Sequence, residues 1–404
     1  MLPILLSNRA RQTPASPIRR LAHVARKARS DGKQVYHLNI GQPDILTPKE
    51  FYDGLHAYRD QVVAYETSEG NERLRAAWVK YMDRSLGLNI NKDQMLITTG
   101  ASEALIFTFM TCCDPGDDVL IFDPTYANYI GFAAIAGVRL VSVVTHLEDS
   151  FALPALEEIA AKITNRTRAI LLCSPNNPTG TVYTEKELQL LLNMCNEHNI
   201  FLVVDETYRE LVYDGIKPLS ILHLDSNNQR IIVIDSLSKR FSLCGARLGC
   251  MITTNQEVLA KTLNQAQARL ASASIEQFAA AHMLEVIGDN FQEQVRSEFQ
   301  SRRDVLYQAL QDIPEVEVYQ PQGAFYMLAQ LPFDDAEEFA SWMLSEFSYE
   351  GATVFVSPAA GFYMEDATGK NKIRLAFVLN QADLKKAIKV LGKGIESYQQ
   401  RKII

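Results

Sequence analysis

The stretch IDSLSKRFSLCGARLGC, residues 234–250, says more about the fold than any other part of the sequence. An apolar run ends in it and is followed by two serines, Lys239 and, eight residues further on, Arg247 between two glycines. Ligands of open parallel sheets bind beyond the carboxyl ends of the strands. A lysine, an arginine and hydroxyl groups directly after a strand therefore indicate a ligand site at one edge of a sheet.

The apolar run in this stretch is one of seven β-rich runs between residues 94 and 254. Most are separated by helical patterns, of which residues 184–199 are the clearest, because Thr184 and Glu187 form a capping box before an apolar helix face. Apolar strands that alternate with helices indicate a mainly parallel sheet covered on both faces. The last run follows its neighbour without room for a helix, so we expect it to enter the sheet antiparallel. These patterns predict an α/β fold with a mainly parallel seven-stranded sheet.

The pattern changes near residue 286, where a long polar helix is followed by the runs AFYMLAQL, TVFVSPA and KIRLAFVL and a closing helix. This order favours a smaller α+β domain. We predict an N-terminal arm and helix in residues 1–45 that belong to the small domain, a large ligand-binding domain in residues 46–285, and the rest of the small domain in residues 286–404.

The composition excludes several kinds of partner. The 404 residues carry a formal net charge of -8, whereas a phosphate backbone calls for a basic surface. No apolar run approaches the roughly 18 residues that a membrane span needs. The six cysteines include no C-x-x-C pair and suit a reducing compartment. We expect a cytoplasmic protein that binds no nucleic acid, no membrane and no metal.

The first thirty residues are basic and contain no acidic side chain. Such a segment is typical of an organelle transit peptide. It also fits an amphipathic helix with a solvated basic face, since a Ser-Pro pair opens the pattern at Ser16 and Gly32 closes it. The second interpretation is favoured.

The residues that follow the strands are chemically complementary to one ligand. Lys239 offers an amine that condenses with an aldehyde, and Asp205, at the end of an apolar strand, needs a cationic partner such as a ring nitrogen. Donors for a phosphate come from a helix start and from the stretch after residue 235: Gly100, Ala101, Ser102, Ser236, Ser238 and Arg247. Each feature has an ordinary structural explanation alone. Together they predict pyridoxal 5′-phosphate as the cofactor.

The sequence SLSKRFSLCGARLG resembles the lysine motif of the aspartate aminotransferase family, the fold-type I, class I/II pyridoxal-phosphate enzymes. The sequences NPTG and DETYREL resemble two further motifs of that family, in the family's order, and the likeness extends from LNIGQPDILTP to KIRLAFV. Three ordered motifs are far more specific than any one of them. The resemblance implies a large cofactor-binding domain, a small domain and a homodimer.

The resemblance also implies a role for each matching residue. Lys239 would hold the cofactor as an imine, the internal aldimine, and then move the proton, while Asp205 would keep the pyridine nitrogen protonated. Tyr208 and Asn177 would bond the phenolic oxygen. Tyr126 would contact the cofactor ring, and Tyr65 of the other subunit would contact the phosphate. Gly41 would contact the substrate through its backbone, and Arg374 would bind the α-carboxylate with its planar guanidinium. A packing aromatic at residue 126 and a solvated strand face at residue 374 are the ordinary alternatives.

The implied activity is a ping-pong transfer of an amino group between an L-amino acid and a 2-oxo acid such as 2-oxoglutarate. Two other interpretations fit the same motifs: a lyase or cyclase of specialised amino-acid metabolism, and a regulator that keeps the fold only for binding. Arg269, in the segment QAQARLASASIEQF, is a candidate partner for a second substrate carboxylate. The sequence predicts an amino acid as substrate but not its side chain.

Overall fold

The computed structural model describes residues 5–288 and 290–403. The strands are β1 (Gln34–His37), β2 (Met95–Thr98), β3 (Asp118–Asp123), β4 (Arg139–Val144), β5 (Thr167–Cys173), β6 (Phe201–Asp205), β7 (Ile231–Ser236), β8 (Gly249–Ile252), β9 (Glu317–Val318), β10 (Tyr326–Gln330), β11 (Ala352–Phe355), β12 (Ser357–Pro358) and β13 (Lys372–Ala376). The α-helices are α1 (Asn8–Gln12), α2 (Ala22–Ser30), α3 (Lys49–Ala57), α4 (Glu72–Leu86), α5 (Ala101–Cys112), α6 (Asn128–Ala136), α7 (Leu156–Ala160), α8 (Glu185–His198), α9 (Gln256–Arg269), α10 (Ser274–Val286), α11 (Asn290–Gln311), α12 (Ala336–Ser345), α13 (Asp366–Gly369) and α14 (Gln381–Ile403).

The central sheet contains seven strands in the order β2-β8-β7-β6-β5-β3-β4. Every pair is parallel except those of β8, which runs antiparallel to both of its neighbours. The predicted fold class is therefore confirmed, including the direction of the last strand. In the register of the sheet Cys173 lies beside Asp205, and Asp205 beside Ile234. The segments after β5, β6 and β7 consequently leave the sheet side by side.

The smaller sheets join the two ends of the chain. One has the order β12-β13-β10-β9, and in the other β1 pairs in parallel with β11. The run TVFVSPA divides between these sheets, because β11 ends at Phe355 and β12 begins at Ser357. Arg374 lies in β13, between Leu328 of β10 and Ser357 of β12, and only 1% of it is exposed. The alternative of a solvated strand face is wrong, since strands pair with both edges of β13 and every residue of it except Lys372 is buried.

The basic N-terminal segment is helical, as expected, but its α-helix begins later than the sequence pattern suggests. Pro17–Arg19 forms a 3-10 turn, and α2 begins only at Ala22. Ala25 and Ala28 form the buried face of α2, and Gly32 follows it with φ at +89°. Arg20, just before α2, pairs with Glu337 of α12 at 2.6 Å. The segment is thus part of the folded structure.

Candidate active site

A cavity of about 120 Å³ lies at the carboxyl ends of β5, β6 and β7. It brings together most of the residues that the sequence motifs single out, from five separate stretches of chain. The sequence-predicted residues that line it are Ala101, Ser102, Tyr126, Asn177, Asp205, Tyr208, Ser236, Ser238, Lys239 and Arg247.

Asp205 ends β6 and is 4% exposed. Its Oδ1 accepts hydrogen bonds from the Thr207 backbone N–H at 3.1 Å and from the Thr207 hydroxyl at 2.6 Å. Its Oδ2 accepts one from the Tyr129 hydroxyl at 2.7 Å. Burial raises the pKa of this carboxyl, and the hydrogen bonds from Thr207 and Tyr129 oppose the rise. No cation among the described residues pairs with Asp205, so it remains available to a cationic ligand nitrogen.

An anion-binding site, here called the anion seat, lies where the segment after β2 meets the segment after β7. Gly100 has φ at +76° and precedes α5, whose first backbone N–H groups have no partner within the helix. A Cβ at Gly100 would lie 2.6 Å from Nη2 of Arg247, so the guanidinium approaches more closely than any side chain there would allow. Arg247 donates to the Cys244 carbonyl at 3.0 Å and forms no ion pair within the described part of the chain. Helix N–H groups beside a guanidinium fit a phosphate.

Lys239 lies between this anion seat and the small sheets. Its Nζ donates to the carbonyl of Gly41 at 2.9 Å and lies 3.6 Å from Sγ of Cys244. The Lys239 side chain is half-buried, and its described contacts are to neutral groups. The amine is therefore positioned at the cavity without a carboxylate partner that would compete for it.

A larger cleft of about 730 Å³ lies outside the cavity and shares Lys239 and Tyr208 with it. Arg374 lines this cleft and is the best-buried cation of the site. Its Nη2 donates to the Asn39 carbonyl at 2.6 Å and its Nη1 to Oδ1 of Asn177 at 3.2 Å. Its Nε has no partner among the described residues, and the rings of Tyr326 and Phe362 lie 4.4 and 4.8 Å from the guanidinium carbon. Burial lowers the pKa of this guanidinium. A planar cation that lacks a carboxylate partner fits the carboxylate of a ligand.

Tyrosines close the space between Arg374 and Lys239. The hydroxyls of Tyr208 and Tyr326 lie 3.0 Å apart, and burial raises the pKa of Tyr208 well above its usual value. A Cβ at Gly41 would lie only 1.8 Å from the Tyr326 hydroxyl, so glycine is required at this position. Tyr126 packs edge-on against Tyr129 with ring centroids 5.3 Å apart, and burial raises its pKa too. Tyr126 therefore faces the cavity and also serves as a packing aromatic.

An ion-pair network is buried behind the cavity. Asp235 is paired with Arg209 at 3.1 Å and with Arg240, and both arginines are at most 2% exposed. Arg209 also pairs with Glu206 at 2.6 Å, and Arg240 with Glu210 at 2.6 Å. Each of these five residues lies within two residues of a cavity residue. The segments after β6 and β7 therefore direct some side chains to the cavity and others to the buried ion pairs. We name this set of five residues the buried network.

Several residues differ from what the sequence suggests. Thr207 and Tyr129 support Asp205, a role that the sequence motifs assign to neither residue. A hydroxyl two residues after a strand-end carboxylate is a usable signal for Thr207 alone. Tyr65 is 82% exposed and does not line the cavity of its own chain. Arg269 pairs with Glu103 at 3.4 Å and lines neither this cavity nor the cleft outside it. It is therefore not placed to bind a substrate in this chain.

The sequence and the structure both have close relatives. The family "Aminotransferase class I and II" matches residues 33–391. The aspartate aminotransferase of Thermotoga maritima is 31% identical over 85% of this chain and 89% of its own, and the probable aspartate/prephenate aminotransferase of Aquifex aeolicus is 30% identical over 97% and 98%. The solved alanine aminotransferase of Pyrococcus furiosus superposes with a TM-score of 0.88 at 30% identity, covering 97% of this chain and 100% of its own.

The fold and the cavity define a pyridoxal-phosphate enzyme of fold type I. The residues present fit that cofactor, because an unpaired buried carboxylate, an amine and an anion seat that a Cβ would fill surround one cavity. The chain belongs to the class I and II aminotransferase family, within which it is similar to the aspartate aminotransferases. It is a pyridoxal-phosphate-dependent aminotransferase.

Proposed function

We propose that this enzyme transfers an amino group between an L-amino acid and a 2-oxo acid such as 2-oxoglutarate, with its chemistry centred on Lys239. The observation that carries the proposal is the placement of opposite unmet charges in two adjoining cavities that share Lys239 in their lining. Asp205 lacks a cation and Arg374 lacks a carboxylate among the described residues, and Lys239 lies between them.

When bound, pyridoxal 5′-phosphate supplies an aldehyde that takes up amines and a ring that accepts the electron pair released at the substrate Cα. Asp205 would hold a proton on the ring nitrogen, and Thr207 and Tyr129 keep its oxygens oriented for that bond. Lys239 would attach the cofactor and later carry the proton at Nζ. The phosphate would rest on Gly100, Ala101, Ser102, Ser236, Ser238 and Arg247.

The substrate would lie on the side of the small sheets. Arg374 would bind its α-carboxylate, because the guanidinium lines the cleft beside Lys239 and its two side-chain hydrogen bonds, to Asn39 and Asn177, leave its charge unpaired. Gly41 would contact the substrate through its backbone, and Tyr208 and Asn177 would form hydrogen bonds with the phenolic oxygen of the cofactor. Tyr126 would cover the ring face.

A substrate panel tests the proposal. With an amino acid and no acceptor, we expect about one equivalent of 2-oxo acid per chain, and continuous turnover only when a 2-oxo acid is added, as for a ping-pong enzyme. Catalytic turnover of an amino acid without any acceptor would contradict the proposal in favour of a lyase or cyclase.

We also infer a homodimer with shared sites. Val62 and Val63 are exposed at 72% and 60%, and Tyr65, which follows them in the sequence, is 82% exposed. Exposed apolar surface of this kind marks an interaction site. Leu46 and Leu270 are further exposed apolar residues, at 85% and 50%. A second copy of the chain would cover them and would receive Tyr65 at its cofactor phosphate.

We also propose a division of the chain into a large and a small domain, and a cytoplasmic location. A large domain in residues 46–285 is supported by the central sheet, and a small domain from residues 1–45 and 286–404 by the pairing of β1 with β11. All six cysteines are free thiols, which supports a cytoplasmic protein. No helix of the described residues is long and apolar enough to cross a membrane.

A further inference from the structure

A separate cavity of about 190 Å³ lies between α4, the first turns of α11 and the segments that follow β6 and β7. We call it the α4–α11 cavity. It shares no described lining residue with the cofactor cavity or with the cleft that Arg374 lines. An apolar cavity of about 150 Å³ holds benzene. The α4–α11 cavity therefore has room for one six-membered ring with small substituents.

Aromatic rings form much of the wall of the α4–α11 cavity. Phe241 and Phe291 stack with ring centroids 5.8 Å apart, and Tyr81 packs edge-on against Phe241 at 5.6 Å. Ile287 extends this apolar lining. Tyr81 and Phe241 are at most 3% exposed and belong to the hydrophobic core, which fixes their rings. Aromatic rings favour offset-stacked and edge-to-face partners, so an aromatic ligand fits these walls.

Gln292 brings an unmet hydrogen-bond acceptor to this lining. The residue is 7% exposed, and its Nε2 donates to the Arg240 carbonyl at 3.3 Å. Its Oε1 is buried and has no partner among the described residues. A buried acceptor without a donor costs free energy, and nearly all buried polar groups in folded proteins are satisfied. A hydroxyl or N–H group of a ligand would supply the donor that the lining lacks.

The charged residues of the lining favour an anion. Glu210 is the one carboxylate among the described lining residues, and its two oxygens already accept hydrogen bonds from Tyr81 and from Arg240, the latter at 2.6 Å. Arg84 donates to the Ile287 carbonyl at 3.1 Å. Arg296 is half-buried and forms no ion pair within residues 5–288 and 290–403. An unpaired guanidinium in a cavity wall fits a carboxylate.

We propose that the α4–α11 cavity is a binding site for a small aromatic acid that carries a ring hydroxyl or N–H opposite its carboxylate. Gln292 and Arg296 are four residues apart on α11 and thus about one turn, ~5.4 Å, apart on one face of the helix. A single ring with a substituent at each end has about this length. The donor would meet Oε1 of Gln292, the ring would pack against Phe241 and Phe291, and the carboxylate would pair with Arg296.

Calorimetric titration of the holoenzyme with 4-hydroxybenzoate and with benzoate tests the donor contact. We expect 4-hydroxybenzoate to bind about ten-fold more tightly, because benzoate leaves Oε1 of Gln292 without a donor. In Gln292→Leu the two acids should bind within about two-fold of each other. Gln294→Leu, at an exposed position on the same helix, is the matched control and should keep the wild-type ratio. Equal binding of the two acids to the wild type, or an unchanged ratio in Gln292→Leu, would overturn the proposal.

Arg296→Gln tests the carboxylate contact. It should weaken the binding of both acids about three- to ten-fold and leave the binding of phenol within about two-fold. Lys261→Gln, which removes an exposed cation outside the cavity, should change none of the three affinities. Because Arg296 lies outside the buried core, this test stands even if Gln292→Leu does not fold. An unchanged affinity for both acids in Arg296→Gln would overturn the proposal.

The carboxylate of the probe would also fit Arg374, so a third titration separates the two places. In Arg374→Gln the affinity for 4-hydroxybenzoate should stay within about two-fold of the wild-type value, since the α4–α11 cavity and the cleft share no described residue. A loss of about ten-fold or more would place the acid in the active site and overturn the proposal. None of these titrations requires turnover, so their outcome is independent of the proposed function.

Discussion

Asp123, the last residue of β3, is a buried carboxylate that the site does not use. It is 1% exposed, its Oδ2 accepts the backbone N–H of Met364 at 2.7 Å, and its Oδ1 has no partner among the described residues. Burial raises its pKa from 3.8 to about 6, although the hydrogen bond from Met364 opposes the rise. Asp123 lies just before the segment that carries Tyr126, so its pKa depends on how tightly that segment is packed.

The stability of the enzyme should therefore depend on pH through Asp123. Since its folded pKa of about 6 lies above the unfolded value of 3.8, the folded chain binds more protons between these values, and stability falls as pH rises through this window. Asp123→Asn removes this dependence and keeps an acceptor for Met364. We expect the free energy of unfolding of Asp123→Asn, relative to wild type, to rise by up to about 3 kcal/mol from pH 4 to pH 7. Denaturant titrations at both pH values measure it, and a constant difference would refute the role of Asp123.

Asp205 gives a second prediction at this scale. An amide at residue 205 still accepts from Thr207 through its oxygen and can donate to the Tyr129 hydroxyl, but it cannot hold a proton on a ring nitrogen. Asp205→Asn should retain the cofactor through the anion seat, as absorbance after gel filtration reports, and lose about 100-fold or more in kcat. Asp93→Asn, at a surface residue whose side chain is 68% exposed, should lose neither. Near-normal turnover in Asp205→Asn would remove this carboxylate from the mechanism.

How far the sequence predicts the site depends on how local each contact is. Lys239, Asp205 and Arg247 could be predicted because Asp205 ends β6 and the other two lie between β7 and β8, and these strand ends meet at one edge of the sheet. The support of Asp205 by Tyr129 could not, since that bond joins residues 76 apart and depends on how α6 packs. The burial of Arg374 likewise depends on two neighbouring strands that alternation within β13 does not reveal.

At the scale of elements, the buried network joins the segments after β6 and β7. Its two arginines and three carboxylates are inaccessible to water. Trp78 donates a further hydrogen bond to Asp235 at 3.3 Å, and Ser220 donates one to Glu206 at 2.9 Å. Breaking a buried pair leaves an uncompensated charge, which is far more destabilising than the pair itself is stabilising. The network therefore fixes the relative position of the Asp205 and Lys239 segments.

Arg240→Met tests this role. We expect it to lower the free energy of unfolding by about 3 to 5 kcal/mol, because Asp235 and Glu210 lose a shared cation in a dry environment. The same substitution at Arg73, whose surface pair with Glu285 leaves its side chain 41% exposed, should cost about 1 kcal/mol or less. Equal losses in the two variants, measured by chemical denaturation, would contradict a special role for the network.

The sequence predicts some elements better than others, for physical reasons. Strand β8 and the capping box of α8 are encoded locally, by the short connection after β7 and by Thr184 with Glu187. Strand β1 was not predicted, because its sequence QVYH lacks a clear apolar pattern and it is ordered by pairing with β11. Strand β9 has two residues, too few for any pattern.

For the whole molecule, the shared-site dimer predicts complementation between two inactive variants. If Tyr65 reaches the partner's cofactor, a heterodimer of Lys239→Ala and Tyr65→Phe contains one site with both residues intact and one with neither. Subunit exchange should therefore restore activity to a mixture of the two. If Tyr65 serves its own chain, both sites of the heterodimer are defective, and no activity should return. Sedimentation of each variant alone, with the dimer mass expected, is the control.

The pairing of β1 with β11 also bears on how the chain is made. Arg374 contacts Asn39 across 335 residues of sequence, so a ribosome must release almost the entire polypeptide before β1 can find its partner strand. Until then the central sheet can assemble, whereas β1 has no strand with which to pair, and closing so long a loop slows the final step. We expect pulsed hydrogen exchange during refolding to protect the β1 amides later than those of β5 and β6. Nascent enzyme would then acquire its cofactor cavity before Arg374, the arginine proposed to bind the substrate, takes its place beside Asn39.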